Sequence, residues 1–190
     1  MRLASRQPVT LIGGAPVPRA DLDAALALAP VLAAADGGAD AALANGLVPQ
    51  AVWGDFDSIS PQARAAIPTE NLHRIAEQDS TDFEKCLSRI DAPLVLAIGF
   101  CGARQDHFLA ALNTLARGIG PPCILIADQD IVTAGTDQFV VAALRGGFMQ
   151  IPVVVVLNKL GHIRIGIGFT VRAQRIAHGI EAVDVLIAFE

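Results

Sequence analysis

Charge is scarce in this 190-residue chain: only 17% of residues are Asp, Glu, Lys or Arg. Bases are scarcer than acids, 14 Lys+Arg against 19 Asp+Glu, for a net charge of −5. A broad electrostatic footprint for nucleic acid needs clustered positive charge, so a nucleic-acid partner is not expected. Long apolar runs are missing too. Residues 24–35 and 92–103 are the longest candidates, and neither approaches the ~20 residues that span a bilayer. Asp21 and Asp23 precede the one Ala-rich stretch that could imitate a signal peptide, so neither membrane nor export is expected. The three cysteines, Cys86, Cys101 and Cys123, form no CxxC pair and no even framework. A reducing cytoplasm, without structural disulfide or zinc, is the simplest reading. There is no internal repeat and no low-complexity linker. What the chain has in quantity is apolar residues, 53% of the total, enough for a sizeable core and too many for disorder.

These residues follow a rhythm of short apolar run, Gly- or Asp-rich turn, then helical pattern. Strands are expected at residues 8–12, 31–35, 51–53, 72–75, 93–99 and 123–127. Helices are expected at 19–28, 39–45, from Pro61, at 81–90 and at 106–117. Thr81 and Glu84 make a capping box, with Phe83, Cys86, Leu87 and Ile90 on one stripe. In the 106–117 helix, Phe108, Leu109, Leu112 and Leu115 are expected to face inward. The alternation predicts βαβ units and a mostly parallel, Rossmann-like sheet flanked by helices. After about Ile131 the pattern becomes strands only: 131–134, 138–144, 151–157, 162–167, 169–173 and 183–189. The expected division is an α/β unit over 1–134 and a small, sandwich-like β unit over 135–190.

The few charges are placed informatively. In an open parallel sheet the ligand crevice lies at the carboxyl ends of the strands. Asp36 ends the second expected strand, and Asp55 and Asp57 end the third. Glu77, Asp79 and Asp82 follow the fourth, and Arg104, Asp106 and His107 the fifth. In an extended segment the Asp55 and Asp57 carboxylates leave the same side, roughly 7 Å apart at about 3.3 Å per residue. Such a pair repels unless a cation lies between, and hard oxygen ligands at this density suit Mg²⁺ with phosphate oxygens completing its shell. A plain surface turn is the alternative for a D-x-D. Asp82 and Lys85 share a helix face, either as metal and phosphate ligands or as an ordinary exposed i,i+3 pair. Asp79 and Asp82 could equally complement the helix dipole. Arg104 stands just before a helix N-terminus, where a cation opposes the dipole, so an anion is expected beside it. His73, His107, His162 and His178 have no ligand spacing. Gly13-Gly14-Ala15 is too short for a dinucleotide fingerprint and lacks a Walker lysine.

Four segments in this order resemble thiamine pyrophosphokinase: Asp36-Gly37-Gly38-Ala39, Gly54-Asp55-Phe56-Asp57-Ser58, the run from Gln78 through Asp82-Phe83-Glu84-Lys85 to Leu87, and Gly102-Ala103-Arg104-Gln105-Asp106-His107, with Asn113-Thr114-Leu115 downstream. The resemblance covers about Leu11 to Thr136. It implies transfer of pyrophosphate from ATP to the hydroxyl of thiamine, giving thiamine diphosphate and AMP, with Mg²⁺. By position, Asp55, Asp57 and Asp82 look like the metal and substrate carboxylates, and Lys85 and Arg104 like the polyphosphate ligands. Asp36, Asp79 and Asp106 look like second contributors to the same acidic site. The resemblance also implies a homodimer, with a C-terminal β-sandwich and a thiamine pocket at the subunit interface. The family's threonine–glycine–leucine stretch and late serine–asparagine pair do not occur after Gly135. The tail therefore reads as a divergent sandwich, a truncated one, or translation in a shifted frame. Two other functions stay open: a pyrophosphokinase acting on another alcohol such as a pterin, and a non-catalytic nucleotide-binding dimer module. A D-x-D nucleotide-sugar transferase leaves the Asp82–Lys85 and Arg104–Asp106 segments unexplained.

Overall fold

The computed structural model describes residues 1–101 and 104–126 and the backbone of the six strands that follow. Two parallel strand sets meet at its centre. The first is β2 (Val9–Ile12), β7 (Val95–Ile98) and β8 (Cys123–Ile126); the second is β3 (Val31–Ala35), β4 (Ala51–Gly54) and β5 (Leu72–Arg74). β3 lies alongside β2. Thr10 fastens the two: it is fully buried, and its Oγ1 donates to the Ala29 carbonyl at 2.7 Å. The chain thus builds outward from β2 to β5, then returns to β7 on the other side of β2. That reversal makes β2 the topological switch, beside which an open α/β sheet binds ligands at its carboxyl edge.

Every residue of β2, β3, β4 and β7 is buried, as expected for a sheet covered on both faces. Alternate side chains divide between two core clusters. Val9, Leu11, Ala33 and Trp53 face α4 (Asp82–Leu87) and α5 (Gln105–Ala116), which contribute Phe83, Cys86, Leu87 and Leu115. Ile12, Leu32, Ala34 and Val52 face α1 (Arg19–Leu28), α2 (Gly38–Ala44) and α3 (Pro61–Ala66). Two helices carry side-chain caps; the Thr81 cap and the Pro61 start were expected, and the Ser60 cap was not. Ser60 Oγ accepts from Ala63 N–H at 3.0 Å with Pro61 at the first position of α3, and Thr81 Oγ1 accepts from Glu84 N–H.

Some expectations are corrected. α4 ends at Leu87, and Ile90 instead joins β6 (Ile90–Asp91), which pairs in parallel with an unexpected N-terminal strand, β1 (Leu3–Ala4). Gly120 passes beside the end of α4, where a Cβ would sit 2.4 Å from the Leu87 carbonyl oxygen. On α5, Leu109 is 63% exposed, and the buried positions are Ala111, Thr114 and Leu115, with Phe108 and Leu112 partly covered. The inward stripe is rotated by about one residue relative to the expected one, and Thr114 is accommodated by donating its hydroxyl to the Ala110 carbonyl at 3.0 Å.

Beyond β8 the pairing turns antiparallel. β9 (Asp130–Ala134), β10 (Gln138–Ala143), β11 (Val153–Asn158) and β12 (Ile163–Ile167) continue the sheet as a meander, and β13 (Thr170–Ile176) pairs only with β14 (Gly179–Leu186). The expectations for His162 and His178 lie outside the described residues. No helix among the described residues is long and apolar enough to cross a membrane.

Two predictions follow from this packing. A Cβ at Gly38, the start of α2, would lie 2.1 Å from the Ile12 carbonyl oxygen, backbone that cannot step aside. Gly38→Ala is therefore expected to destabilise the fold by about 1–3 kcal/mol, read as a lower urea midpoint. Burial pushes the Cys123 thiol up to about 12 and raises that of Cys86 as well. Because the thiolate is the nucleophile, both should resist alkylation at pH 8 in the native chain and react once it is unfolded, as mass spectrometry would show.

Candidate metal–phosphate site

The site begins at the carboxyl end of β3. Asp36 is the next residue, and it is completely buried. An ionised carboxylate in such a place is tolerated only when hydrogen-bonded. Here Oδ1 accepts the Ile59 N–H at 3.0 Å and Oδ2 the Ser58 N–H at 3.2 Å. Both donors belong to the loop leaving β4, so Asp36 fixes the path of that loop. Gly54 allows this approach: a Cβ there would stand 2.5 Å from the Asp36 Cβ. The loop is held at two further points. Ser60 N–H donates to Asp40 Oδ2 at 2.9 Å, and Arg74 Nε donates to the Asp55 carbonyl at 3.1 Å.

Within the loop, the expectation of an extended Asp55-Phe56-Asp57 is overturned. Phe56 has φ +69°, the left-handed region, and the Asp57 N–H folds back onto Asp55 Oδ1 at 3.2 Å. Instead of standing an extended repeat apart, one carboxylate oxygen each from Asp36, Asp55 and Asp57 falls within 4.8 Å of the others. The three run from buried through partly buried to exposed, so the cluster opens to solvent at Asp57.

Asp82 and Lys85 stand on the first turns of α4, next to this cluster. The Lys85 side chain is 3% exposed and its Nζ donates to Asp82 Oδ1 at 3.3 Å, so this is no ordinary surface pair. The electrostatics of Asp36, Asp55 and Asp82 diverge. Burial raises the Asp36 carboxyl above its ordinary value, opposed by the Ser58 N–H and reinforced by the charges of Asp82 and Asp55. Burial also raises Asp82, with the Lys85 charge and hydrogen bond pulling the other way and Asp55 and Asp57 adding repulsion. Asp55 is lowered, first by the hydrogen bond that Gln78 Nε2 donates to Oδ2 at 2.8 Å and then by the Asp57 N–H. Hard oxygens this close, with a buried cation behind them, suit one divalent ion of the Mg²⁺ type, which takes one or two carboxylates and fills its shell with water and phosphate oxygen. The donor set therefore fits the metal.

The remaining expected residues lie apart from that cluster among the described contacts. Arg104 precedes α5 and pairs with Asp106 of the same helix through both guanidinium edges, Nε–Oδ1 at 3.1 Å, with both side chains over 60% exposed. The anion expected beside Arg104 is thus supplied by Asp106, which that hydrogen bond holds at about 2. Asp79 is exposed, and its N–H donates to Glu77. Glu77 also accepts from the Ser80 hydroxyl and sits below its ordinary range for that reason. The sequence reading had no functional role for Gln78, Gly54 or Phe56. Only their position beside acids could have flagged them.

Asp36→Asn tests the loop's anchor. It keeps the shape but turns one oxygen into an NH₂ facing a backbone donor, an unmade hydrogen bond that costs about 1–3 kcal/mol. The urea midpoint should fall accordingly, and amide exchange at Ser58 and Ile59 should accelerate.

Comparison with known proteins agrees with this geometry. The family model described as "Thiamin pyrophosphokinase, catalytic domain" matches residues 22–123, a span that contains all eight expected site residues. The thiamine pyrophosphokinase of Bacillus subtilis strain 168 is 33% identical over 91 residues, covering 44% of this chain and 42% of that protein. In structure, the thiamin pyrophosphokinase from Candida albicans superposes with a TM-score of 0.58 at 17% identity, over 70% of this chain and 63% of that one. The thiamin pyrophosphokinase from Geobacillus thermodenitrificans gives 0.56 at 24% identity, over 66% and 62%. At these identities the two structures speak for the fold. The chain thus spans less than two thirds of the length of the relatives it matches. With more than half of its residues inside the matched catalytic domain, the chain belongs to the thiamin pyrophosphokinase family.

Proposed function

We propose that the protein transfers pyrophosphate from ATP to the hydroxyl of thiamine, giving thiamine diphosphate and AMP. The observation that carries this reading is the convergence of Asp36, Asp55 and Asp57 within 4.8 Å, beside the buried Lys85–Asp82 pair, inside the segment matched to the family's catalytic domain. In the reaction the thiamine hydroxyl oxygen bonds to the β-phosphorus of ATP. The bond from that phosphorus to the α–β bridging oxygen breaks, AMP leaves, and the hydroxyl proton is released. Such chemistry asks a protein mainly for positioning and charge neutralisation. Asp55, Asp57 and Asp82 would hold Mg²⁺, which neutralises polyphosphate charge when bound. Asp36 shapes the loop that presents Asp55 and Asp57. Lys85, buried behind Asp82, supplies fixed positive charge to the site. Arg104 is the exposed polyphosphate ligand and exchanges Asp106 for phosphate on binding, while Asp79 and Asp106 complete the acidic rim.

The same reading assigns residues 1–134 to nucleotide and metal and residues 135–190 to acceptor binding and dimerisation. The pairing turns from parallel to antiparallel between β8 and β9, a few residues ahead of that boundary, and this change of architecture is what supports a division there. A cytoplasmic homodimer is the proposed working form, in keeping with a low-cysteine chain.

The test is direct. The chain incubated with ATP, Mg²⁺ and thiamine should yield AMP and thiamine diphosphate by mass, and omitting Mg²⁺ should abolish both. Asp57→Asn should lower turnover at least about 100-fold, as for loss of a charge that stabilises a transferring phosphoryl group, while leaving the circular dichroism unchanged. Formation of ADP, or turnover only with a pterin alcohol, would replace this reading.

A further inference from the structure

We infer that Phe56 and Arg64 form a positioning device that holds the Asp55 and Asp57 carboxylates in metal-binding register; this rests on the metal reading above. An extended D-x-D would place its carboxylates roughly 7 Å apart, and here the left-handed turn at Phe56 brings an oxygen of each within 4.8 Å. A bulky residue adopts φ +69° only where its surroundings impose it. Three contacts impose it. The Phe56 ring is half-buried against the core cluster that contains Ile59 and Ala63. The Arg64 guanidinium carbon lies 5.5 Å from the ring centroid, on the face of the ring. The hydrogen bonds from Ser58 and Ile59 to Asp36 fix the chain on the far side of the turn. Arg64 is itself placed by α3, whose start is set by the Ser60 cap. Among the described ion pairs Arg64 takes no part, so its charge is directed to the ring and not to a carboxylate.

Positioning and simple electrostatics give opposite signs for Arg64. A cation near an acidic site repels a metal ion, so removing it should tighten metal binding if charge were all that mattered. If Arg64 steadies the turn, removing it should loosen binding. The probe is Mn²⁺, which shares the oxygen-ligand preference of Mg²⁺, titrated into the full chain without nucleotide and followed by the electron paramagnetic resonance signal of the free ion. The expected result is Mn²⁺ affinity about threefold weaker in Arg64→Gln, the worth of one such stack, and within about twofold of the unaltered chain in Arg64→Lys. Phe56→Gly, which permits the turn but abolishes its anchor, should bind about tenfold more weakly, as expected when a held conformation becomes one of many. Thermal unfolding without metal verifies that each variant folds, and Phe56→Leu replaces the glycine variant if that one does not, with an intermediate loss expected. Unchanged or tighter binding in either Arg64→Gln or the folded Phe56 variant overturns the inference, provided Asp57→Asn binds weakly. If the unaltered chain takes up no Mn²⁺, or Asp57→Asn binds as well as it does, the metal reading fails and the inference falls with it.

Discussion

The buried carboxylate of Asp36 is the constraint from which the rest of the site follows. A charge removed from water has to be met by donors, and the backbone N–H groups of Ser58 and Ile59 supply them here. That requirement joins two segments 22 residues apart into one unit, with the Asp36 turn after β3 gripping the loop after β4. It also dictates the glycine at position 54, which has no room for a side chain because Asp36 occupies the space. Elsewhere on this edge Gly14 and Gly37 face each other, and a Cβ on either would stand 3.4 Å from the other's Cα. Gly13 faces the Gly99 carbonyl in the same manner, a built Cβ falling 2.4 Å from its oxygen. The glycines at these strand ends therefore serve close approach, backbone on backbone, along the edge where β2 reverses the strand order.

The parts of the fold written in local sequence were legible from it. Strand burial on both faces, the start of α3 at Pro61, the Thr81 cap, and the span of α1 all depend on residues within one turn or one strand of each other. The misread parts depend on distant chain. α4 stops at Leu87, and Ile90 pairs with Leu3, a contact that a periodic stripe cannot register. Leu109 turns outward because the sheet accepts Ala111 and Leu115 at that distance.

The same division applies to the site. The acids were found because they end strands, and the family pattern named Lys85 and Arg104. Their different circumstances were not legible. Lys85 is buried and paired with Asp82 on α4, whereas Arg104 lies open and paired with its neighbour Asp106. Nor could spacing show the turn at Phe56, since D-x-D is compatible with an extended strand end as much as with a fold-back. The contacts that select the second, the hydrogen bonds to Asp36 and the packing of the Phe56 ring, come from outside the D-x-D itself.

Charge accounts for what this arrangement accomplishes. A chain with few ionic groups places Asp36, Asp55, Asp57 and Asp82 so that their fields overlap; burial raises Asp36 and Asp82, and repulsion from the neighbouring acids adds to the rise. One buried cation, Lys85, relieves part of that repulsion from behind and cannot move to relieve the rest. Asp55 escapes the rise because Gln78 and the Asp57 N–H stabilise its charge. The cluster thus keeps an ionised, partly exposed carboxylate, Asp55, between the exposed Asp57 at its mouth and the buried Asp36 at its base. Negative charge left over at an opening is an attraction for a cation from solvent. Polyphosphate, itself anionic, could approach such an edge only behind that cation. The excess of acids over bases is therefore least random where the strands end.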